Sequence, residues 1–141
     1  MTPVKWLLLP VFLHMLMTTV IGIATVRARI AAVKSGKTRL REIALSPAAF
    51  PDRVRQLGNN YDNQFDMPVM WYALIALVIA TGFVDVVMIG LSWTFLGGRL
   101  AHTLVHTGSN RVPRRMWVFL ATSLVFFLMW VWFGLRLFVV G

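Results

Sequence analysis

The sequence predicts an all-α integral membrane protein, a bundle of four transmembrane helices forming one domain over residues 1–141, and three observations carry that prediction. Of the 141 residues, 58% are hydrophobic and only 13% charged, with a mean hydropathy of +0.72, a balance foreign to water-soluble domains. The apolar residues fall into four runs, each near the roughly 20 residues that a helix needs to cross a hydrocarbon core. The charges lie mostly between those runs: 14 Lys and Arg against 5 Asp and Glu. Membrane topology accounts for that excess without a nucleic-acid partner. The absence of cysteine excludes a disulfide framework, a thiolate nucleophile and a cysteine-ligated metal.

The first helix is expected at about 6–27. Its apolar run, Trp6 to Val26, is too long for a signal-peptide core, and no small-residue cleavage site follows it. Lys5 alone precedes the run, whereas Arg27, Arg29, Lys34, Lys37, Arg39, Arg41, Arg53 and Arg55 follow it. That asymmetry places the amino terminus on the non-cytoplasmic side and the basic loop, about 28–62, in the cytoplasm. Gly36, Pro47, Pro51 and Gly58 break this loop, leaving room for short helical pieces near each end. The second helix, about 67–84, and the third, about 86–106, form a hairpin turning at Asp85. The third is the least apolar, carrying Ser92, Thr94, Gly97, Gly98, Arg99, His102 and His106, so it faces protein or water more than lipid. After Gly108-Ser109-Asn110 come Arg111, Arg114 and Arg115, then the fourth helix, about 116–139. Four crossings return the carboxyl terminus to the non-cytoplasmic side, and both basic loops share the other side. Trp6 and Trp117 suit the interface, and Arg136 lies near enough to its helix end to snorkel.

On the third helix Arg99, His102 and His106 are spaced i, i+3 and i+7, which puts them on one face. A charge at that depth costs a few kcal/mol, so an acidic side chain, a helix carboxyl end or an anionic ligand is expected beside Arg99. The acids within reach are Asp62 and Asp66, just before Pro68, so a polar site is expected between helices two and three. Arg99 either fastens the bundle or holds a ligand, and spacing leaves both open. Histidines at i, i+4 can share a metal, but no Glu or Cys completes a set and HExxH is missing, so no metal site is expected. Arg27 and Arg29 complement the carboxyl-end dipole of the first helix. Phe126, Phe127, Met129, Trp130 and Trp132 read as packing or lipid-facing surface. No inverted repeat or broken span points to a transporter.

Several of these segments resemble the MAPEG family, the membrane-associated proteins in eicosanoid and glutathione metabolism, which includes microsomal glutathione transferases and the leukotriene-C and prostaglandin-E synthases. Arg55-Gln56-Leu57-Gly58-Asn59-Asn60-Tyr61-Asp62 is similar to the family's Arg-x3-Asn-x2-Glu pattern entering the second helix. Arg99-x2-His102-x3-His106 and the paired arginines closing helix one are similar too. The resemblance covers nearly the whole chain. It implies a homotrimer with a glutathione pocket between neighbouring subunits, open to the cytoplasm. It assigns Arg27, Arg29, Arg55, Asn59, Asp62 and Arg99 to that pocket, with Arg99 activating the thiol. A second register makes Asn63 and Asp66 the counterparts of the family's Asn and Glu, because Pro68 lies six residues past Asp62 where the family's proline follows its Glu by three. His102 and His106 stand where well-studied glutathione enzymes carry tyrosines. The run Asn63 to Val69, with Arg99, His102, His106, Asn110, Val112 and Arg115, looks more like a bacterial branch of the family, which implies a bacterial inner membrane.

Two functions compete. A glutathione-dependent transferase or peroxidase would take lipophilic electrophiles from the bilayer, with glutathione as cosubstrate and an arginine favouring its thiolate. A non-enzymatic subunit would use the same fold to trimerise or to pack within a larger membrane complex. Gly97, Gly98 and Ala101 permit close helix approach in either case.

Overall fold

A computed structural model, which describes residues 2–140, consists of five α-helices joined by short connectors. Helix α1 (Pro3–Lys34) begins with proline in its first turn, where no helical N–H is lost. It runs past the boundary expected near residue 27 because Arg27-Ala-Arg-Ile-Ala-Ala-Val-Lys34 is rich in good helix formers. It stops at Ser35-Gly36, where Gly36 takes φ +71°, a conformation glycine adopts without penalty. Two 3-10 turns, Leu40–Glu42 and Pro47–Ala49, lead into α2 (Asp52–Asp62). Both ends of the basic loop are therefore helical.

Helix α3 (Met67–Ala80) follows α2 after a four-residue break. Pro68 explains the break: it offers no N–H to the Gln64 carbonyl, and its ring would clash with that carbonyl in a continuous helix. Helix α4 (Val86–Thr107) is capped by Asp85, whose Oδ1 accepts from the Met88 N–H at 2.8 Å. Helix α5 (Val112–Leu135) ends in a π-helical turn, Arg136–Val140.

Three stretches are long and apolar enough to cross a membrane: Pro3–Lys34, Asp52–Ala80 and Val112–Val140. Helix α4, with 22 residues, is about 33 Å long at 1.5 Å per residue, enough to span. Its polar residues make it less apolar than the other three, and it lies against α5 and α1. The bundle core is Leu7, Trp71, Leu74, Ile75, Val78, Met88, Phe95, Met129 and Phe133, with the Trp71 and Phe95 rings 4.7 Å apart. Phe12, Leu16, Leu124, Phe127 and Trp130 are exposed, the pattern of a surface facing hydrocarbon.

Close approach of α4 and α5 depends on Gly98. A Cβ there would overlap the Thr122 hydroxyl and stand 3.1 Å from its Cβ, whereas a Cβ on Gly97 would meet nothing. At the opposite end, Arg136 does more than snorkel. Its Nε lies 3.7 Å from Asp85 Oδ2, which also accepts from Trp132 Nε1 at 2.9 Å, and its guanidinium covers the Phe83 ring. Asp85 thus ties the α3–α4 turn to the end of α5.

Candidate functional site

The break between α2 and α3 creates the polar centre of the molecule. With no helix continuing through residues 63–66, the Asn59, Tyr61 and Asp62 carbonyls take N–H groups of the turn, while those of Asn60 and Asn63 are met by side chains. Arg99 supplies one donor. Its Nη2 donates to the Asn63 main-chain oxygen at 2.6 Å and to Gln64 Oε1 at 3.2 Å. Gln64 in turn donates from Nε2 to the Asn60 carbonyl at 2.8 Å and to Thr103 Oγ1 at 3.3 Å. Arg99 and Gln64 are each 1% exposed. Of the partners considered for Arg99, the helix carboxyl end is the one found: among the described residues neither Asp62 nor Asp66 forms an ion pair with it. A cation at a helix carboxyl end is favoured by the macrodipole as well as by the hydrogen bond.

The capping is reciprocal. Gln56 of α2 donates from Nε2 to the His106 carbonyl at 2.6 Å, and Arg53 donates to the Thr107 carbonyl. Both oxygens belong to the last turn of α4. Helix α4 therefore closes α2 while α2 closes α4.

Beside these ties lies a cleft of about 570 Å³, lined by Asn59, Asp62, Asn63 and Asp66 on one side, His102 and His106 of α4 behind, and Arg115, Met116 and Phe119 of α5 opposite. The His102 and His106 rings meet edge to face at 5.5 Å. Arg115 Nη1 lies 3.1 Å from His106 Nε2 and donates to Asn110 Oδ1 at 2.9 Å. A guanidinium has only donors, so His106 Nε2 is the acceptor. Asn110, at φ +47°, turns the chain back so that Arg115 reaches α4. The cleft thus offers two carboxylates, one guanidinium, two imidazoles and two amides, which suits a ligand bearing charges of both signs. Among the described residues, no three His, Asp or Glu side chains converge as metal ligands.

Six residues anticipated from sequence meet here: Asn59, Asp62, Asn63, Asp66, His102 and His106. Both candidate acids line the cleft. Arg99 is buried and does not line the cleft. Arg27 lines a separate groove of about 560 Å³ with Tyr61 and Tyr72, Arg29 lies over the Phe50 ring, and Arg55 pairs with Asp52 at 3.2 Å on the surface of α2. Within one chain none of these three arginines lines the cleft. The sequence reading assigns no site role to Arg115, Gln64, Gln56 or Arg53, since their partners are carbonyls and a histidine on another helix. It also passes over His14, whose Nδ1 lies 2.6 Å from the Tyr72 hydroxyl in the bundle interior; a single histidine in an otherwise apolar run was the available signal.

A family model described as the MAPEG family matches residues 7–135. No curated protein and no solved structure matches the chain. The match spans every helix and both walls of the cleft, and it agrees with the all-helical, membrane-spanning architecture. This integral membrane protein belongs to the MAPEG family.

Proposed function

We propose that the protein is a glutathione-dependent transferase or peroxidase acting on lipophilic electrophiles, and that the cleft between α2, α4 and α5 holds glutathione. The single observation that carries this reading is the cleft itself: six residues chosen from sequence line one cavity, whose volume of about 570 Å³ falls in the range of small-molecule sites. Glutathione carries an ammonium, two carboxylates and a thiol. Asp62 and Asp66 suit the ammonium, Arg115 suits a carboxylate, and Asn59 and Asn63 supply amide donors and acceptors. Family membership supports the ligand, since MAPEG proteins generally use glutathione.

Arg99 acts on the thiol as a fixed charge. It is held by Asn63, which lines the cleft, and by Gln64, and a cation in a poorly hydrated site favours thiolate over thiol. Substrate enters from the hydrocarbon side, and the thiolate sulfur attacks it at the cleft, bonding to its electrophilic carbon as the leaving group departs with the electron pair, or to a peroxide oxygen as the O–O bond breaks. In a homotrimer, Arg27, Arg29 or Arg55 of a neighbouring subunit would approach the cleft, and the open α4 face at Gly97 gives room for close packing. The basic segments lie in the cytoplasm and the membrane is a bacterial inner membrane in this reading.

One observation favours the alternative of a non-enzymatic subunit: Arg99 caps α2 through Nη2, a role that fastens the bundle with no ligand at all. Isothermal titration of glutathione into the detergent-purified protein at low salt decides between them. Saturable binding that His102→Ala and Asp66→Asn weaken is the expected result. No binding at millimolar glutathione overturns the enzyme reading and favours the subunit.

A further inference from the structure

The cation that lines the cleft is tied down without being neutralised. Arg115 donates from Nη1 to His106 Nε2 at 3.1 Å and to Asn110 Oδ1 at 2.9 Å. Both acceptors are uncharged, and together they occupy both hydrogens of that nitrogen. Among the described residues Arg115 forms no ion pair, although Asp62 and Asp66 line the same cleft. Its hydrogen bonds run from Nη1 alone, which leaves the Nε–Nη2 edge of the guanidinium for a ligand. That edge grips a carboxylate through two parallel bonds.

The turn after α4 decides which side chain can stand behind Arg115. A Cβ on Gly108 would lie 2.7 Å from the Leu104 carbonyl oxygen, so the chain leaves the helix at a glycine. The Asn110 N–H then closes on the Val105 carbonyl at 2.8 Å, and Asn110 takes φ +47°, a left-handed conformation that suits Gly, Asn and Asp better than other residues. These residues differ in what they do to Arg115. Glycine offers no acceptor. Aspartate offers one that cancels the charge. Asparagine alone offers an acceptor and leaves the charge in place, and because a guanidinium only donates, it is the amide oxygen that faces Arg115.

We propose that Asn110 is a specificity-determining residue: it positions Arg115 through a neutral oxygen, so that the free Nε–Nη2 edge holds a carboxylate of the ligand in the cleft. The inference rests on the glutathione reading for the identity of that ligand and adds the residue that keeps the cleft selective for an anion. Asn110 acts through Arg115 and itself lies outside the cleft lining.

The test is titration calorimetry of glutathione into the full chain in detergent, with circular dichroism melting of each variant. Asn110→Asp keeps both the turn and the tie to Arg115, so its melting midpoint stays at or above that of wild type. Its Kd rises at least about tenfold, because a fixed negative charge now competes with the ligand's carboxylate for Arg115. Asn110→Gly keeps the turn and the free charge, and binds glutathione more tightly than Asn110→Asp even though the tie is lost. A purely structural role gives the reverse order. In an Arg115→Gln background the effect of Asn110→Asp shrinks, a coupling that a double-mutant cycle measures. A wild-type Kd in Asn110→Asp, tighter binding by Asn110→Asp than by Asn110→Gly, a midpoint of Asn110→Asp below that of Asn110→Gly, or an undiminished effect in the Arg115→Gln background each overturns the inference and leaves the glutathione reading standing. A wild-type chain that binds no glutathione at millimolar concentration overturns that reading, and this inference with it.

Discussion

Arg99 on α4 donates to the main-chain oxygen of Asn63 at the end of α2, 2.6 Å away, so the one arginine in the interior of the third span acts as the carboxyl-end cap of a different helix. Arg99→Met keeps most of the volume and removes the cap. It orphans the Asn63 carbonyl and Gln64 Oε1, and each buried acceptor left without a partner costs about 1–3 kcal/mol. The thermal unfolding midpoint in detergent should fall markedly, with Arg99→Lys intermediate because an ammonium can reach one acceptor at best. A midpoint within error of wild type for Arg99→Met would show that the cap does not hold the bundle.

Gly98 and Gly97 should respond oppositely to one methyl group. Gly98→Ala drives a Cβ into Thr122, and overpacking of this kind costs about 1–3 kcal/mol. Gly97→Ala meets nothing within the chain and should leave monomer stability unchanged or slightly raised through helix propensity. Thr122→Ala added to Gly98→Ala should restore part of the loss, a coupling that a double-mutant cycle of unfolding midpoints measures.

Much of this arrangement was legible in the sequence because it depends on helical spacing. Arg99, His102 and His106 share a face through their i, i+3, i+7 positions alone, and Asp62, Asn63 and Asp66 reach the same cleft because Pro68 fixes where α3 starts. The partner of Arg99 was harder to read. A list of acids points to Asp62 or Asp66, but the acceptor is a main-chain oxygen freed by the helix break, and every residue has one. Arg115 escaped for a related reason: it reads as one more loop charge until Asn110 turns the chain and brings it to His106. Arg27, Arg29 and Arg55 follow from family resemblance, and where they lie relative to a neighbouring chain's cleft depends on assembly.

Arg115 should govern affinity more than stability. It is partly exposed and its contacts are to His106 and Asn110, so Arg115→Gln leaves the fold standing. Loss of one charge-assisted hydrogen bond, about 1.5–3 kcal/mol, corresponds to a glutathione Kd raised roughly 10- to 150-fold. Titration calorimetry checks this, and added salt should weaken wild-type binding more than variant binding. An unchanged Kd would remove Arg115 from the site.

Asp85 separates a charge from a cap. Asp85→Asn retains an oxygen for the Met88 N–H or for Trp132 Nε1 and loses the Arg136 ion pair at 3.7 Å, so a loss of no more than about 1 kcal/mol is expected. Asp85→Ala also removes the cap of α4, worth typically about 1 kcal/mol, and the Trp132 acceptor. Its unfolding midpoint should lie clearly below that of Asp85→Asn. Equal midpoints would mean that the ion pair alone matters.

The exchange of caps between α2 and α4 has a consequence for ligand affinity. Arg99 ties the end of α2 to α4, and Gln56 and Arg53 tie α2 to the last turn of α4, so the α2 side and the α4 back of the cleft are fixed to each other before anything binds. A rigid jaw of this kind surrenders little conformational entropy on closing around its ligand. It also gives up the ability to widen. On the proposed glutathione reading, selectivity among thiol peptides would be set by shape, and a ligand one residue longer than the cleft accepts should bind markedly more weakly.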